Sequence, residues 1–204
     1  MSESKDIQRM LTAASGGAVD TVRHCLDSGL AVDSQDHHGN RALNHAAKAG
    51  HLDVVRLLLS EGANANEVDG VGRTPLIACA EGDHAHLVDV FLAVDADING
   101  RGEAGRTALM ECANSSSVNV AKRLLELGAD VNAKRDDGST ALHEAVFCAC
   151  EDYEEPEDNE IIPLLLAAGA DATLADSDGL TALALAGRYA DEIDYTEVLT
   201  RPKE

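Results

Sequence analysis

The chain has no tryptophan, and its 2% of aromatic residues comes to two Phe and three Tyr in 204 positions. A core built around aromatic rings is thereby excluded. What must be buried is aliphatic, and Ala, Leu and Val recur in short blocks suited to thin helices packed in layers. Positive charge is scarce as well: 16 Lys and Arg stand against 37 Asp and Glu, a formal charge of −21. Nucleic acid is excluded as a ligand, because binding a polyanion needs clustered Lys and Arg that displace counterions, and no such cluster occurs. The natural complement is a protein with a basic surface, toward which this charge would steer encounter. Also missing is any run approaching the ~18 apolar residues of a membrane helix, so no membrane association is expected. Residues 1–10, MSESKDIQRM, lack the apolar stretch of a secretion signal. The cysteines, Cys25, Cys79, Cys112, Cys148 and Cys150, are odd in number and mostly inside apolar runs, which predicts reduced, buried thiols in a cytoplasmic protein.

What is present is a repeat. Five segments align on one glycine: Gly39-Asn-Arg-Ala-Leu43, Gly72-Arg-Thr-Pro-Leu76, Gly105-Arg-Thr-Ala-Leu109, Gly138-Ser-Thr-Ala-Leu142 and Gly179-Leu-Thr-Ala-Leu183. Their spacings are 33, 33, 33 and 41. A second marker, running through Gly29, Gly62, Asp95, Gly128 and Gly169, keeps the same 33, 33, 33, 41 rhythm. Two markers that stay in phase through an insertion make chance a poor explanation. Each part of the unit has a physical task. A polar turn leads to the glycine; Thr74, Thr107, Thr140 or Thr181 then caps a short helix, and Pro75 occupies a first-turn position where a missing N–H costs little. Small residues such as Ala46-Ala47, Cys79-Ala80 and Cys112-Ala113 let neighbouring helices approach. A second helix carries Val54-Val55-Arg-Leu-Leu-Leu59 or Val120-Ala-Lys-Arg-Leu-Leu125, and the glycine of Gly-Ala-Asp ends it.

The string Asp-x-x-Gly-x-Thr-Pro-Leu, then Ala-Ala, Gly-His-Leu-Asp-Val-Val, Leu-Leu-Leu and Gly-Ala-Asp-Val-Asn resembles the ankyrin repeat over nearly the whole chain. The resemblance implies an all-α solenoid of stacked helix-turn-helix units with projecting β-hairpin turns. The units are an N-terminal cap at 1–35 with its first helix near residues 7–15, repeats at 36–68, 69–101, 102–134 and 135–175, and a closing unit at 176–204. One elongated domain is expected, and a monomer on its own. The family's His after Thr-Pro-Leu is replaced by Asn44, Ile77, Met110 and Ala184 and kept as His143, which should weaken the hydrogen bonds between turns.

The 41-residue interval holds eight extra residues around 151–160, where seven of ten are acidic and Tyr153 is the aromatic. By phase they fall between the two helices of the fifth unit, as a solvated loop or a docking site for a basic partner. Catalytic and metal chemistry finds little footing. Asp95-Ala-Asp-Ile-Asn-Gly100 begins like a calcium loop, but Arg106 stands where the twelfth-position Glu should be. His37-His38, His84-x-His86 and Cys148-x-Cys150 lack the paired spacing of a zinc site. Cys148 and His143 could form a nucleophile and base, yet nothing supplies a third member or oxyanion hole. No catalytic residue, metal or cofactor is expected.

The resemblance implies that binding uses the concave face, formed by turn tips and the exposed side of the first helices. On this sequence that face comprises His37, His38, Asn40 and Lys48; Val71, Arg73 and Glu81; Glu103, Arg106 and Asn114; Asp136, Asp137, Ser139 and Phe147; and Ser177, Asp178, Leu180, Arg188 and Tyr189. Phe147, Leu180 and Tyr189 are the candidate apolar anchors, although Phe147 could equally pack in the core. Lys48, Arg73 and Arg106 make the early half more basic, and Asp136 and Asp137 make the late half acidic. The expectation is a non-catalytic scaffold or adaptor for a partner with a basic surface. An inhibitor or immunity-type regulator of an enzyme is the narrower alternative, and a cysteine-dependent enzyme the alternative of another class.

Overall fold

The structure, a computed structural model, describes residues 2–151, 159–188 and 199. Among them run eleven α-helices: α1 (Ser2–Ser15), α2 (Val19–Asp27), α3 (Ala42–Ala49), α4 (Leu52–Ser60), α5 (Pro75–Glu81), α6 (Val88–Leu92), α7 (Ala108–Ser115), α8 (Val118–Glu126), α9 (Ala141–Glu151), α10 (Ile161–Ala167) and α11 (Ala182–Arg188). The odd-numbered helices stack in one row, each packed on the next, and each even-numbered helix backs the odd helix before it. This is an all-α solenoid of stacked helix pairs. None of the helices is long and apolar enough to cross a membrane among the described residues. Two local differences from the sequence expectation appear: α1 starts at Ser2 instead of near Ile7, and α6 is short, preceded by a 3-10 turn at Ala85–Leu87.

The core follows from small side chains repeated at one place. Ala46, Cys79, Cys112 and Ala145, spaced 33 apart, are all essentially inaccessible, and their slimness is what lets α3, α5, α7 and α9 stack. A larger side chain in that row would force the layers apart. The caps form largely as expected. The hydroxyls of Thr74, Thr107 and Thr181 accept from the N–H groups of Ile77, Met110 and Ala184 at 3.2, 3.4 and 3.1 Å. Thr140 differs, because its hydroxyl is taken by the His143 ring at 2.9 Å.

Three sets of hydrogen bonds fix the register between layers. At the turn tips, the N–H groups of Gly70, Glu103, Asp136 and Ser177 donate to the carbonyls of Gly39, Gly72, Ala104 and Asp137 at 2.7–3.0 Å. Two tips also close as antiparallel bridges, Gln35 with Arg41 and Ala175 with Thr181. In the segment leading into each turn, the side-chain oxygens of Asn66, Asn99 and Asn132 accept from the N–H groups of Asp97, Asp130 and Asp171 in the following layer at 2.7, 2.9 and 2.8 Å. In the turns between paired helices, His51 and His84 place Nε2 against the carbonyls of Ser15 and Lys48 at 2.9 and 3.0 Å.

The expected weakening where the family histidine is lost needs correction at one position. His143 Nε2 meets the Leu180 carbonyl at 3.1 Å, and Asn44, in the equivalent place, donates its amide to the equivalent Arg73 carbonyl at 2.6 Å. The bond between turns is therefore retained there by a shorter side chain. Of the acidic insertion, residues 152–158 and with them Tyr153 lie outside the described residues, as do Tyr189 and the expected polar final helix at 191–197. The flanks are described: the segment joins the end of α9 to α10, whose first turn is capped by Asn159 accepting from Ile162 N–H at 2.9 Å. The bond from Asp171 N–H to Asn132 shows the stacking register restored beyond it.

Gly50 and Gly62 both adopt left-handed conformations, at φ +75° and +90°, but their surroundings differ. A Cβ on Gly50 would lie 2.5 Å from the His84 ring, whereas nothing lies within 4 Å of one on Gly62. Gly62→Ala should cost only the conformational term, about 1 kcal/mol, and Gly50→Ala about twice that or more. Urea unfolding of both variants, and of Gly50→Ala combined with His84→Ala, measures the difference. The double variant should be less destabilised than the sum of its singles, and strict additivity would mean the ring does not confine position 50.

Candidate functional site

The 33-residue register brings the expected face together as rows. On the inner helices, Lys48, Glu81, Asn114 and Phe147 occupy equivalent positions in α3, α5, α7 and α9, with Arg188 following in α11 after the insertion. At the tips, His37 and His38 are exposed, their rings tilted at 43° to each other with centroids 3.8 Å apart. Val71 is 52% exposed, and Glu103, Asp136, Asp137, Ser177 and Asp178 are exposed at the corresponding tips. Asn40 is held by the Asp36 carboxylate, which receives both its backbone and side-chain N–H groups at 3.0 Å. Ser139 donates its N–H to Asp137 at 2.9 Å. The ambiguity over Phe147 resolves toward the surface: its side chain is 40% exposed, while Phe91 is fully buried.

The cations of this face do not stand alone. Lys48 pairs with Glu81. Arg73 reaches from its tip to both Glu81 and the buried Asp69, which it meets at 2.9 Å. Arg106 pairs with Glu111 at 3.0 Å and lies 3.8 Å from Glu144, which Arg135 also engages. Arg101 pairs with Asp136 at 2.7 Å. The early half therefore carries basic side chains whose charge is largely answered by neighbouring carboxylates. Glu111, Glu144, Asp69, Arg135 and Arg101 were not among the expected face residues. The repeat spacing could have pointed to Arg101 through Asp136 and to Glu144 through Arg106, one layer apart, whereas Asp69, Glu111 and Arg135 pair within their own unit and carry no such signal.

Electrostatics follow this pairing. For Glu81, burial alone would raise the carboxyl pKa, but the hydrogen bond from Lys48 and the charge of Arg73 outweigh it and hold it below its ordinary value. Asp137 is likewise lowered: burial acts against ionisation and the bonds from Ser139 overcome it. His45, half-buried beside the row, is pushed down by burial and by the charge of Arg73. Burial drives the Cys79 thiol up to about 12, with Asp83 adding to it, and raises Cys112 as well, so both are inert at neutral pH. The cysteine and histidine considered as nucleophile and base are otherwise engaged. Both ring nitrogens of the buried His143 have partners, Thr140 and the Leu180 carbonyl, and Cys148 donates to Asn114 at 3.5 Å. Among the described residues no three His, Cys, Asp or Glu side chains are grouped to hold a metal ion.

Because the Glu81 pKa is lowered on folding, its contribution is present above the ordinary value of 4.5 and lost as pH falls through the lowered one. Glu81→Gln should therefore be less stable than the parent chain at pH 7, and the gap should close by about pH 3. Urea midpoints of the two proteins across that range measure it. A gap independent of pH would show that the ion pairs contribute nothing.

The family model described as Ankyrin repeats (3 copies) matches residues 8–69, 61–135 and 101–155. A comparison with curated proteins found no match. The matched stretches overlap and run from residue 8 to residue 155, well over half of the chain and the same part in which tips, inner helices and base repeat in register. The chain belongs to the ankyrin repeat family.

Proposed function

We propose that the chain is a non-catalytic protein-recognition module, a scaffold or adaptor that takes a partner with a basic surface onto its concave face. Ankyrin repeats are in general protein–protein interaction modules. The observation that carries the finer reading is the distribution of charge. Residues 151–204 hold 15 acidic and 3 basic side chains, a net −12 of the total 16 − 37 = −21. Upstream, on the face itself, cations and carboxylates are locally matched. A face paired over its earlier layers, in a chain whose later residues are acidic, would orient a cationic partner as well as attract it.

None of the five thiols forms a disulfide and four of them are buried, which suits a reducing compartment such as the cytosol. Recognition by side chains on rigid layers needs neither a metal nor a cofactor. The five tips linked by main-chain bonds form a stiff edge, which keeps the ordering cost of binding low.

Asp136 and Asp137, 68% and 49% exposed at their side chains, are the carboxylates that a basic partner would meet first at this end. Changing both to Lys should lower capture of the partner by about tenfold or more and reduce the salt dependence of binding. Comparative pull-down from the source cells, quantified over a salt series with circular dichroism to check folding, measures both effects. Equal capture by the parent and the double variant would remove the concave-face reading.

A further inference from the structure

The concave face changes character along its length. On α3, α5 and α7 the inner positions are ion-paired, through Lys48 with Glu81 and Arg106 with Glu111. On α9 the pairing ends at Glu144, which meets Arg135 and Arg106, and on α11 no ion pair occurs among the described residues. Phe147 takes the place of Lys48 and Glu81, Leu185 takes the place of Glu111 and Glu144, and Leu180 takes the tip position of Arg73 and Arg106. Leu180 and Leu185 are partly buried. Among the described residues the exposed large apolar side chains are Val68, Val71, Val94, Leu127 and Phe147, and Phe147 alone lies on an inner helix. The tips of the same layers bring Asp136, Asp137 and Asp178, all exposed.

Two further observations restrict what could cover this end. The main-chain groups between tips are spent on one another, so this edge offers no open strand for a partner to extend, and recognition must run through side chains. The exposed large apolar content of the inner helices is a single ring, with two half-buried leucines in the next layer, far short of the apolar centre of a standard-size interface between folded proteins. It matches one inserted side chain. Charge complementarity decides what flanks that side chain, because the exposed carboxylates of Asp136, Asp137 and Asp178 line the tips beside it.

We propose that Phe147, with Leu180 and Leu185, seats one apolar side chain of a short basic peptide segment, whose flanking Lys and Arg residues meet Asp136, Asp137 and Asp178. This rests on the protein-recognition reading above and narrows the partner from a basic surface to a linear basic segment with a central anchor. The anchor supplies the burial that slows dissociation, and the flanking charges supply approach and direction along the face.

The test uses fluorescein-labelled peptides of alternating Lys or Arg with Ser, identical except for a central Leu, Phe or Ala, titrated by anisotropy onto the full chain at about 150 mM salt. The Ala-centred peptide controls for attraction to an acidic protein in general. Leu- and Phe-centred peptides should bind about tenfold tighter than the Ala-centred one. Phe147→Ala should erase that preference while leaving the weak binding of the Ala-centred peptide, and Phe147→Leu should keep most of it. Circular dichroism confirms that each variant folds. No preference for an apolar centre, or a preference that survives Phe147→Ala, overturns the proposal. If the peptides fail while a captured protein partner still responds to the Asp136→Lys, Asp137→Lys change, the peptide seat falls and the protein-recognition reading stands; if that partner is also indifferent, both fall.

Discussion

One side-chain acceptor per layer, an asparagine in three of them, stands at the centre of what holds the stack in register. Asn66, Asn99 and Asn132 each accept an N–H from the next layer, at Asp97, Asp130 and Asp171. A pair of short helices cannot bury its apolar face alone, so every layer depends on its neighbours, and stacking by hydrophobic contact leaves sliding and rotation nearly free. Hydrogen bonds do not. With the tip bonds and the asparagines where the chain enters each turn, and the bonds of His51 and His84 where one helix passes to its partner, the early layers are pinned at both ends of their inner helices. The last asparagine bond spans the insertion: eight extra residues lengthen the path from Asn132 to Asp171 without changing the contact.

That register converts a spacing along the chain into a surface. Because each layer repeats the last, a side chain and its counterpart 33 residues on become neighbours, and the face can be written as rows. Lys48 with Glu81 is such a pair, and Glu111 and Glu144 are row-mates that share Arg106 between them. The same logic explains where glycine is required. Gly50 lies beneath the His84 ring and has no room for a Cβ, whereas at the equivalent turn Asp83 adopts φ +53°. Its carboxylate is used across the layer, receiving Val120 N–H at 2.9 Å and Asn119 at 2.6 Å. Position 117, one repeat beyond His84, is Ser, so no ring presses on Asp83 and its side chain can act on the start of α8.

Most of the fold was legible because its devices are local: the cap threonines, the glycine markers and the small residues of the inner helices each act within a few positions. Asn44 was harder. Its loss of the family histidine reads as a missing hydrogen bond, and only the geometry shows that an amide at 2.6 Å from the Arg73 carbonyl does the same work. Thr140 was misjudged for the converse reason, its hydroxyl being drawn off by the retained His143. For the face, phase assigns residues to tips and inner helices but takes their charges singly. Arg73 counts as basic in a sequence and as one corner of a network with Asp69 and Glu81 in three dimensions. The exposure of Phe147 was not legible, since its row holds Lys, Glu and Asn in other layers and nothing local distinguishes a buried from an exposed Phe on a short helix.

Net charge and surface charge thus carry different information in this chain. A formal −21 suggests a uniformly acidic face, yet residues 1–150 contribute only −9, with 22 acidic against 13 basic side chains. Much of that remainder is consumed in pairs that brace neighbouring layers. Ion pairs at such half-exposed sites add little to stability individually, but a paired guanidinium is oriented, and an oriented charge repels or accepts a ligand only in particular poses. Under the proposed reading, the braced part of the face would filter ligands by pose, and the exposed carboxylates of Asp136, Asp137 and Asp178 would attract them. Phe147 lies on α9, in the layer whose tip carries Asp136 and Asp137, so charge and apolar contact would act together on a bound segment.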